Sequence, residues 1–375
     1  MKYHILIVLI AISFLGCKTA PNNPASFQSI LDKAVKKKSN QLSGVSMTVL
    51  APKLNILWSG ASGYDSKEKL QKLSAEQPFR IASVTKTFVA TAILRLQEEK
   101  KLNLEDSIAP YLSEEHLQLL TADGYDPTAI TIKHCLQHRS GLFNYAEGNT
   151  FYIDSILKNP TKRWTRTQQL KFAMDAGNPL GTPGEVYGYS DTGYIVLGEI
   201  IEKVTGQSLA QALRKLLDYD ALGLKSTWME GQEDPPAGIL VPVHRYIGDY
   251  DATTLDNSID LFGGGGISST TKDLAVFFDA LFNGQIYKNP ETLTTMLEDP
   301  GTLPNGAESE DYRMGLSKEG VMGIPGYMHR GFWGTVWIHM PKPNYTIVVN
   351  FTNEPEGAGI ITSTTEQLQK VAESH

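Results

Sequence analysis

The sequence predicts an α/β fold of the α+β type: an antiparallel sheet built from both chain ends, flanked by helices, with a mostly helical domain inserted between the two halves. Strand-like runs occur at both ends. Ser46 to Leu50 and Asn55 to Ser59 lie early, and Met322 to His329, Phe332 to Met340 and Tyr345 to Asn350 lie late, with period-2 alternation in places. Between them, from about Leu102 to Leu261, helical segments alternate with Gly/Pro-rich turns. A chain of 375 residues with 41% hydrophobic content can bury the core this arrangement needs.

The elements follow in order. Lys2 and His4 precede the apolar run Ile5 to Leu15, which ends in Gly16-Cys17. A basic start, a short apolar run and a small residue before the cut describe a secretory signal at residues 1–16. The run is too short for a permanent bilayer span. Phe14-Leu15-Gly16-Cys17 resembles a bacterial lipobox, with Phe14 where Leu is preferred. The resemblance implies lipidation of Cys17 and a lipoprotein held on the periplasmic face or cell surface; plain secretion and an uncleaved anchor are the alternatives. Lys18 to Ser26, rich in Pro and Asn, then forms a tether, giving residues 17–26. Cys17 and Cys135 are the two cysteines, and a lipidated Cys17 cannot pair, so disulfides play no part.

A helix is expected at Gln28 to Lys38. Phe79 to Glu98 is the strongest helix, and Val84, Phe88, Val89, Ile93, Leu94 and Leu96 cover most of its circumference, which marks it as buried. Pro183-Gly184 precedes a helix at Asp191 to Val204, the run Gly263 to Gly266 precedes one at Ser269 to Asn283, and Ile361 to Ser374 closes the chain. The boundaries place a sheet domain at 27–95 and 262–375 and the helical insertion at 96–261.

The tetrad Ser83-Val84-Thr85-Lys86 fits Ser-x-x-Lys, but so do Ser66/Lys69, Ser155/Lys158 and Ser269/Lys272. Ser66 sits in a polar, Lys-rich stretch read as a solvated loop. Ser155 lies in a short polar helix, and capping explains Ser269. Only Ser83 opens a long buried helix. Three positions apart, the two side chains share a helix face one turn apart. An apolar surround eases proton loss from Lys86, which can then take the Ser83 hydroxyl proton as that oxygen attacks an acyl carbon. The helix N-terminus adds N–H groups near a developing oxyanion. Taken alone, the pair also fits a helix cap beside a surface cation.

Phe79-Arg80-Ile81-Ala82 leading into the tetrad resembles the serine β-lactamase and penicillin-binding protein superfamily, in its class C and DD-carboxypeptidase branch, and so implies a β-lactamase/transpeptidase-like fold. Further segments follow in that family's order: His138-Arg139-Ser140-Gly141-Leu142, Tyr189-Ser190-Asp191, Gly264 to Ser269, and His329-Arg330-Gly331 at the place of Lys-Thr-Gly or His-x-Gly. The resemblance spans about Gln28 to Asn353. It implies Ser83, Lys86 and Tyr189 as catalytic, with Tyr189 the second proton carrier, and an oxyanion hole from the N–H groups of Ser83 and Phe332. Gly331 suits a place where a ligand approaches the backbone. Outside the resemblance, Tyr189 is an ordinary half-buried aromatic.

Two departures bear on substrate. Asp191 stands where the family has Asn; a carboxylate only accepts, so it holds Lys86 protonated more firmly and loses a substrate contact, which weakens the case for penicillin-like or acyl-D-Ala-D-Ala substrates. Arg330 stands where a small hydroxyl residue is common; its guanidinium either binds a substrate carboxylate or points into solvent. Phe332-Trp333 replaces small residues and reshapes the acyl pocket.

A formal net charge of −7 excludes an ordinary nucleic-acid binder, which needs a basic surplus. His134, Cys135 and His138 cluster, but without the Glu of His-Glu-x-x-His or a distant carboxylate they make no metal site. Gly263 to Gly266 lacks the ending of a phosphate loop, and no Gly-x-Ser-x-Gly elbow occurs. No cofactor is expected. The reading is an exported serine hydrolase working through an acyl-enzyme on amide or peptide substrates, of DD-peptidase or D-amino-acid peptidase type, with a small-molecule or peptide acyl substrate that includes cell-wall fragments among its candidates. The alternatives are an esterase or class C-like β-lactamase on the same scaffold, and a non-catalytic penicillin-binding-like module.

Overall fold

The computed structural model describes residues 24–37, 42–146, 150–304, 311–353 and 358–374. The leader and Cys17 lie outside the described residues. The chain begins with α1 (Pro24–Lys36), β1 (Gly44–Ala51), β2 (Ile56–Gly63), β3 (Phe79–Arg80) and α2 (Thr85–Glu98). A helical stretch follows: α3 (Glu114–Ala122), α4 (Ile132–Leu136), α5 (Thr150–Lys158), α6 (Arg166–Ala176), α7 (Asp191–Thr205), α8 (Leu209–Leu216) and α9 (Tyr219–Leu222). Short strands β4 (Trp228–Met229), β5 (Tyr246–Ile247), β6 (Tyr250–Asp251) and β7 (Ile267–Ser269) lead to α10 (Thr271–Phe282) and α11 (Pro290–Met296). The chain closes with β8 (Ser317–Lys318), β9 (Tyr327–Gly331), β10 (Thr335–Met340), β11 (Tyr345–Phe351) and α12 (Ala358–Glu373).

The main sheet is antiparallel with order β2-β1-β11-β10-β9-β8, so strands from the two chain ends meet at β1 and β11. Period-2 alternation sorts their side chains. Val45, Met47, Val49, Ile347 and Val349 pack with Phe27 and Leu31 of α1 and Leu368 of α12 on one face. On the other face Thr48 meets Thr271 of α10, with hydroxyl oxygens 2.9 Å apart. Trp337 stacks on Phe278, and Phe277 stacks on Phe88, each at 3.8 Å, which ties the sheet through α10 to α2. Each such aromatic pair adds about 0.5–1.5 kcal/mol beyond its buried area. One continuous core reaches from Trp337 and Val348 through α2 to Ile195, Ile200 and Leu213 of the helical lobe.

Several boundaries differ from the sequence reading. Pro24 to Ser26, expected within the tether, are already helical. The helix expected from Phe79 starts only at Thr85, because Phe79 and Arg80 pair with Ser269 and Ser268 as a strand and residues 82–84 form a 3-10 turn. Ser269 therefore ends β7, and Thr270 caps α10 by accepting from the Asp273 N–H. The strand expected from Met322 starts at Tyr327. Met322 (φ +54°) and Gly323 (φ +77°) turn the chain first, and Pro325 has no N–H to give a ladder. Likewise Phe332 to Gly334 form a turn, with the Gly334 N–H donating to Gly331 at 3.0 Å, before β10 begins.

Candidate active site

Ser83 sits in the turn that feeds α2, just after Ala82, whose φ of +45° is a left-handed conformation that a residue with a Cβ adopts at a cost. Packing holds it there: a Cβ on Gly331 of β9 would lie 2.1 Å from the Ile81 carbonyl oxygen. Strand β9 thus presses directly on the turn, and it is this chain contact, beyond any ligand approach, that requires glycine at 331. The start of α2 carries no side-chain cap hydrogen bond, so Ser83 is not a capping residue.

Its hydroxyl instead meets Lys86. The Lys86 Nζ donates to Ser83 Oγ at 2.9 Å, to Asp191 Oδ1 at 2.5 Å and to the Gly264 carbonyl at 2.9 Å, and the whole side chain is buried. Of these partners a carboxylate and a carbonyl can only accept; the hydroxyl can also donate. The three bonds are those of an ammonium, and among its partners only the Ser83 hydroxyl has a proton that could come back to Nζ. None of the other three Ser-x-x-Lys serines is held this way. Ser66, read as solvated, is buried, and its oxygen accepts from the Leu70 N–H at 3.1 Å. Ser269 Oγ lies 2.8 Å from Thr227 Oγ1, and Ser155 falls within α5.

Each partner of Lys86 has a backbone reason for its place. Asp191 opens α7, whose cap Ser190 accepts from the Gly193 N–H, and its own N–H donates to Asn144 Oδ1 at 3.2 Å. The glycine run lets the chain lie flat on that helix: a Cβ on Gly198 would fall 2.0 Å from the Phe262 carbonyl, and one on Gly263 would fall 2.3 Å from that of Tyr194. That contact carries the Gly264 carbonyl to Lys86.

Tyr189 is half-buried, with Lys86 Nζ 5.0 Å from its ring centroid. His138 packs on the ring at 4.2 Å and accepts the Ser190 N–H through Nδ1 at 3.1 Å. His329 of β9 lies 6.4 Å from Tyr189 between ring centroids. Its Nδ1 is 2.6 Å from the Arg330 carbonyl, an acceptor only, so Nδ1 carries the proton and Nε2 accepts from the Tyr312 hydroxyl at 3.1 Å. Burial, reinforced by the charges of Lys86 and Arg330, pushes His329 down to about 3, so it is neutral at ordinary pH.

Of the two orientations left open for Arg330, the structure shows the one directed to solvent. It stands opposite Val336, which packs on the core under α1 and α12, whereas His329 stands opposite Trp337 in the other core. Alternation along β9 thus sends Arg330 to the face away from Ser83. There it makes a two-pronged ion pair with exposed Glu319 at 3.0 and 3.1 Å. Phe332 follows Gly331 with its ring 56% exposed, edge-on to Trp333.

Three participants escaped the sequence reading. The Gly264 carbonyl had a signal in the glycine run, whose close packing delivers it. Tyr312, from the polar stretch before β8, and Asn144 had none. The His134-Cys135-His138 cluster is structural. His134 Nδ1 accepts the Thr131 N–H at 3.2 Å in a capping box, burial pushes the Cys135 thiol up to about 12, and burial holds His138 well below the usual imidazole range.

Comparison with known proteins agrees with this architecture. The chain is 28% identical over 274 residues to a penicillin-binding protein of Bacillus subtilis, covering 70% of this chain and 56% of that protein. It is 31% identical over 225 residues to esterase EstB of Burkholderia gladioli, covering 59% of this chain and 54% of the esterase. The chain therefore spans little more than half the length of either. Among solved structures, a D-stereospecific amidohydrolase from Streptomyces superposes with a TM-score of 0.75 at 25% identity, covering 90% of this chain and 97% of that one. Residues 29–370 match the beta-lactamase family, and the chain belongs to it.

Proposed function

We propose that this protein is a serine hydrolase that cleaves amide substrates through an acyl-enzyme on Ser83. The observation that carries the reading is the three-way clasp of Lys86, which leaves Ser83 as the one partner able to give a proton. With Lys86 first deprotonated, the Ser83 proton passes to its Nζ as Oγ bonds to the acyl carbon, and the ammonium so formed returns a proton through Tyr189 to the departing nitrogen as the C–N bond breaks. The N–H groups of Ser83 and Phe332 face the oxyanion, each such donor being worth about 10²–10³ in rate. Water, activated by the same groups, then releases the acyl product.

The flanking strand supplies no cation: His329 is neutral and Arg330 is turned to Glu319. A free carboxylate beside the scissile bond, as in a penicillin or an acyl-D-Ala-D-Ala peptide, finds no charge partner on β9. Blocked amides of D-amino acids need none, and similarity to the Streptomyces amidohydrolase supports that class. Esterase activity is the second reading, favoured by the likeness to EstB. Export and lipidation at Cys17 belong to the same proposal and rest on the leader sequence. Among the described residues no helix is long and apolar enough to cross a membrane.

The test is labelling with a serine-reactive fluorophosphonate, followed by turnover of D-amino-acid amides and 4-nitrophenyl esters. Ser83 should carry the label, and Ser83→Ala should abolish both labelling and turnover. Turnover retained in Ser83→Ala would sink the mechanism. Membrane-fraction mass spectrometry of wild type and Cys17→Ala tests the lipid anchor.

A further inference from the structure

A cleft of about 230 Å³ opens beside the backbone turn that follows Gly331. Its walls are Ile153 of α5, Ile247 of the β5–β6 hairpin, Phe332 and Trp333 of the turn, and Phe351 at the end of β11. Among these apolar walls sits one cation, Arg245, whose side chain is only 4% exposed. Its Nη1 donates to the Val243 carbonyl, while Nε is buried without a partner. The neighbouring Arg80 is occupied elsewhere, donating to Glu230 at 2.9 Å and to the Leu255 carbonyl at 3.1 Å.

The position of the cleft decides which part of a substrate reaches it. The proton carriers lie on one side of Ser83, where Tyr189 and His329 pack against His138 and Tyr312. The leaving group must face them. The cleft lies beyond Phe332, at the opposite end of the turn, and shares none of those four residues. By elimination, the acyl group is the part of a substrate this cleft would serve.

Resting on the serine-hydrolase reading, we propose that this cleft is the acyl-side subsite and that Arg245 binds a carboxylate carried on the acyl group. The surroundings favour such an occupant. Burial, with the nearby charge of Arg80, pushes the Arg245 guanidinium down to about 9, against the opposing pull of Glu230 and Asp260. Asp260 is itself pushed up to about 6 by burial. An incoming carboxylate would accept from the guanidinium, whose Nε is buried without a partner. The aromatic and aliphatic walls take a short methylene chain.

The experiment compares two isosteric esters with the same leaving group: the 4-nitrophenyl monoester of glutaric acid and the 4-nitrophenyl ester of its monoamide. The wild type is expected to favour the acid in kcat/KM by about tenfold or more, the scale of one charge-assisted pair. Arg245→Gln should bring the ratio close to one, with most of the loss on the acid ester. Because Arg245 is buried, Arg245→Lys serves as a second variant, and its point charge should keep part of the preference. The ratio is a readout that general destabilisation does not move. A wild type that prefers the amide, or a ratio that survives both substitutions, overturns the proposal. If neither ester is cleaved in a Ser83-dependent way, the hydrolase reading fails instead. Glutarate titrated against tryptophan fluorescence, with Trp333 in the cleft wall, then decides the subsite by itself. Saturable quenching lost in Arg245→Gln supports it, and no saturable quenching overturns it.

Discussion

Gly331→Ala tests the central geometric claim, that β9 presses on the nucleophile turn. The added Cβ would start 2.1 Å from the Ile81 carbonyl oxygen, 3.1 Å from its carbon and 3.5 Å from the Ala82 Cβ. The atom struck is backbone, so no rotamer change relieves it. Strand and turn must separate by about 1 Å, a displacement that costs on the order of 10²-fold when it misplaces reacting groups. In the proposed oxyanion hole the group displaced is the Phe332 N–H relative to Ser83, and losing one oxyanion donor costs about 10²–10³-fold in kcat. The two figures describe one event and do not multiply. Crowding a packed contact also costs about 1–3 kcal/mol of stability. The assay is steady-state hydrolysis of a 4-nitrophenyl acyl ester below the variant's melting temperature, with near-ultraviolet circular dichroism to confirm packing. A kcat that falls about a hundredfold with little change in KM agrees with loss of a transition-state contact. A folded variant within about threefold of wild type refutes the claim that Gly331 sets the oxyanion geometry.

Other outcomes follow from neighbouring residues. Tyr189→Phe removes the relay hydroxyl and should lower kcat by about 10²–10⁴-fold, measured on an amide substrate; a near wild-type rate would assign the relay elsewhere. Asp191→Asn places an amide N–H where a carboxylate only accepts, and is expected to increase acylation by a fluorescent penicillin, read by gel fluorescence; no change removes the argument about substrate choice. Acid should destabilise the fold through its buried neutral histidines. His329 and His339 both titrate at about 3 in the folded chain, far below the ordinary 6.5, so the unfolded chain binds more protons between those values. Stability from these two groups is thus complete above about pH 6.5 and is lost as pH falls towards 3. His339 packs on Phe282 away from the catalytic groups, so His339→Gln should flatten the melting-temperature profile across that window. An unchanged slope would argue against its contribution.

The parts of the site legible in the sequence were those with a local pattern. Ser83 and Lys86 stood out because the apolar residues after them encircle a helix, and the strand alternation of the last third located β10 and β11. What stayed hidden depended on backbone meeting backbone across long separations. The glycine run signals close packing at Gly264 without naming Lys86 as what its carbonyl receives, and nothing near Gly331 names Ile81 as its neighbour. The choice left open for Arg330 has the same root: His329 and Arg330 are adjacent letters, but the pleat sends them to opposite faces. The strand read from Met322 ran long because apolar content outweighed Gly323 and Pro325, which turn the chain.

Strand β1 makes its ladder with β11, and just outside that ladder the Ser43 N–H donates to Asn353, 310 positions away. This closure has a consequence for when the molecule can act. The nucleophile is synthesised early, yet the strand that presses its turn into shape arrives with the last stretch of the chain, and such distant pairings are slow to form. A chain that stops before β9 would carry Ser83 and Lys86 without the strand that packs on the turn holding them. Strand β9 thus makes the shape of the turn around Ser83 depend on sequence made some 250 residues later, about the spacing between Ile81 and Gly331.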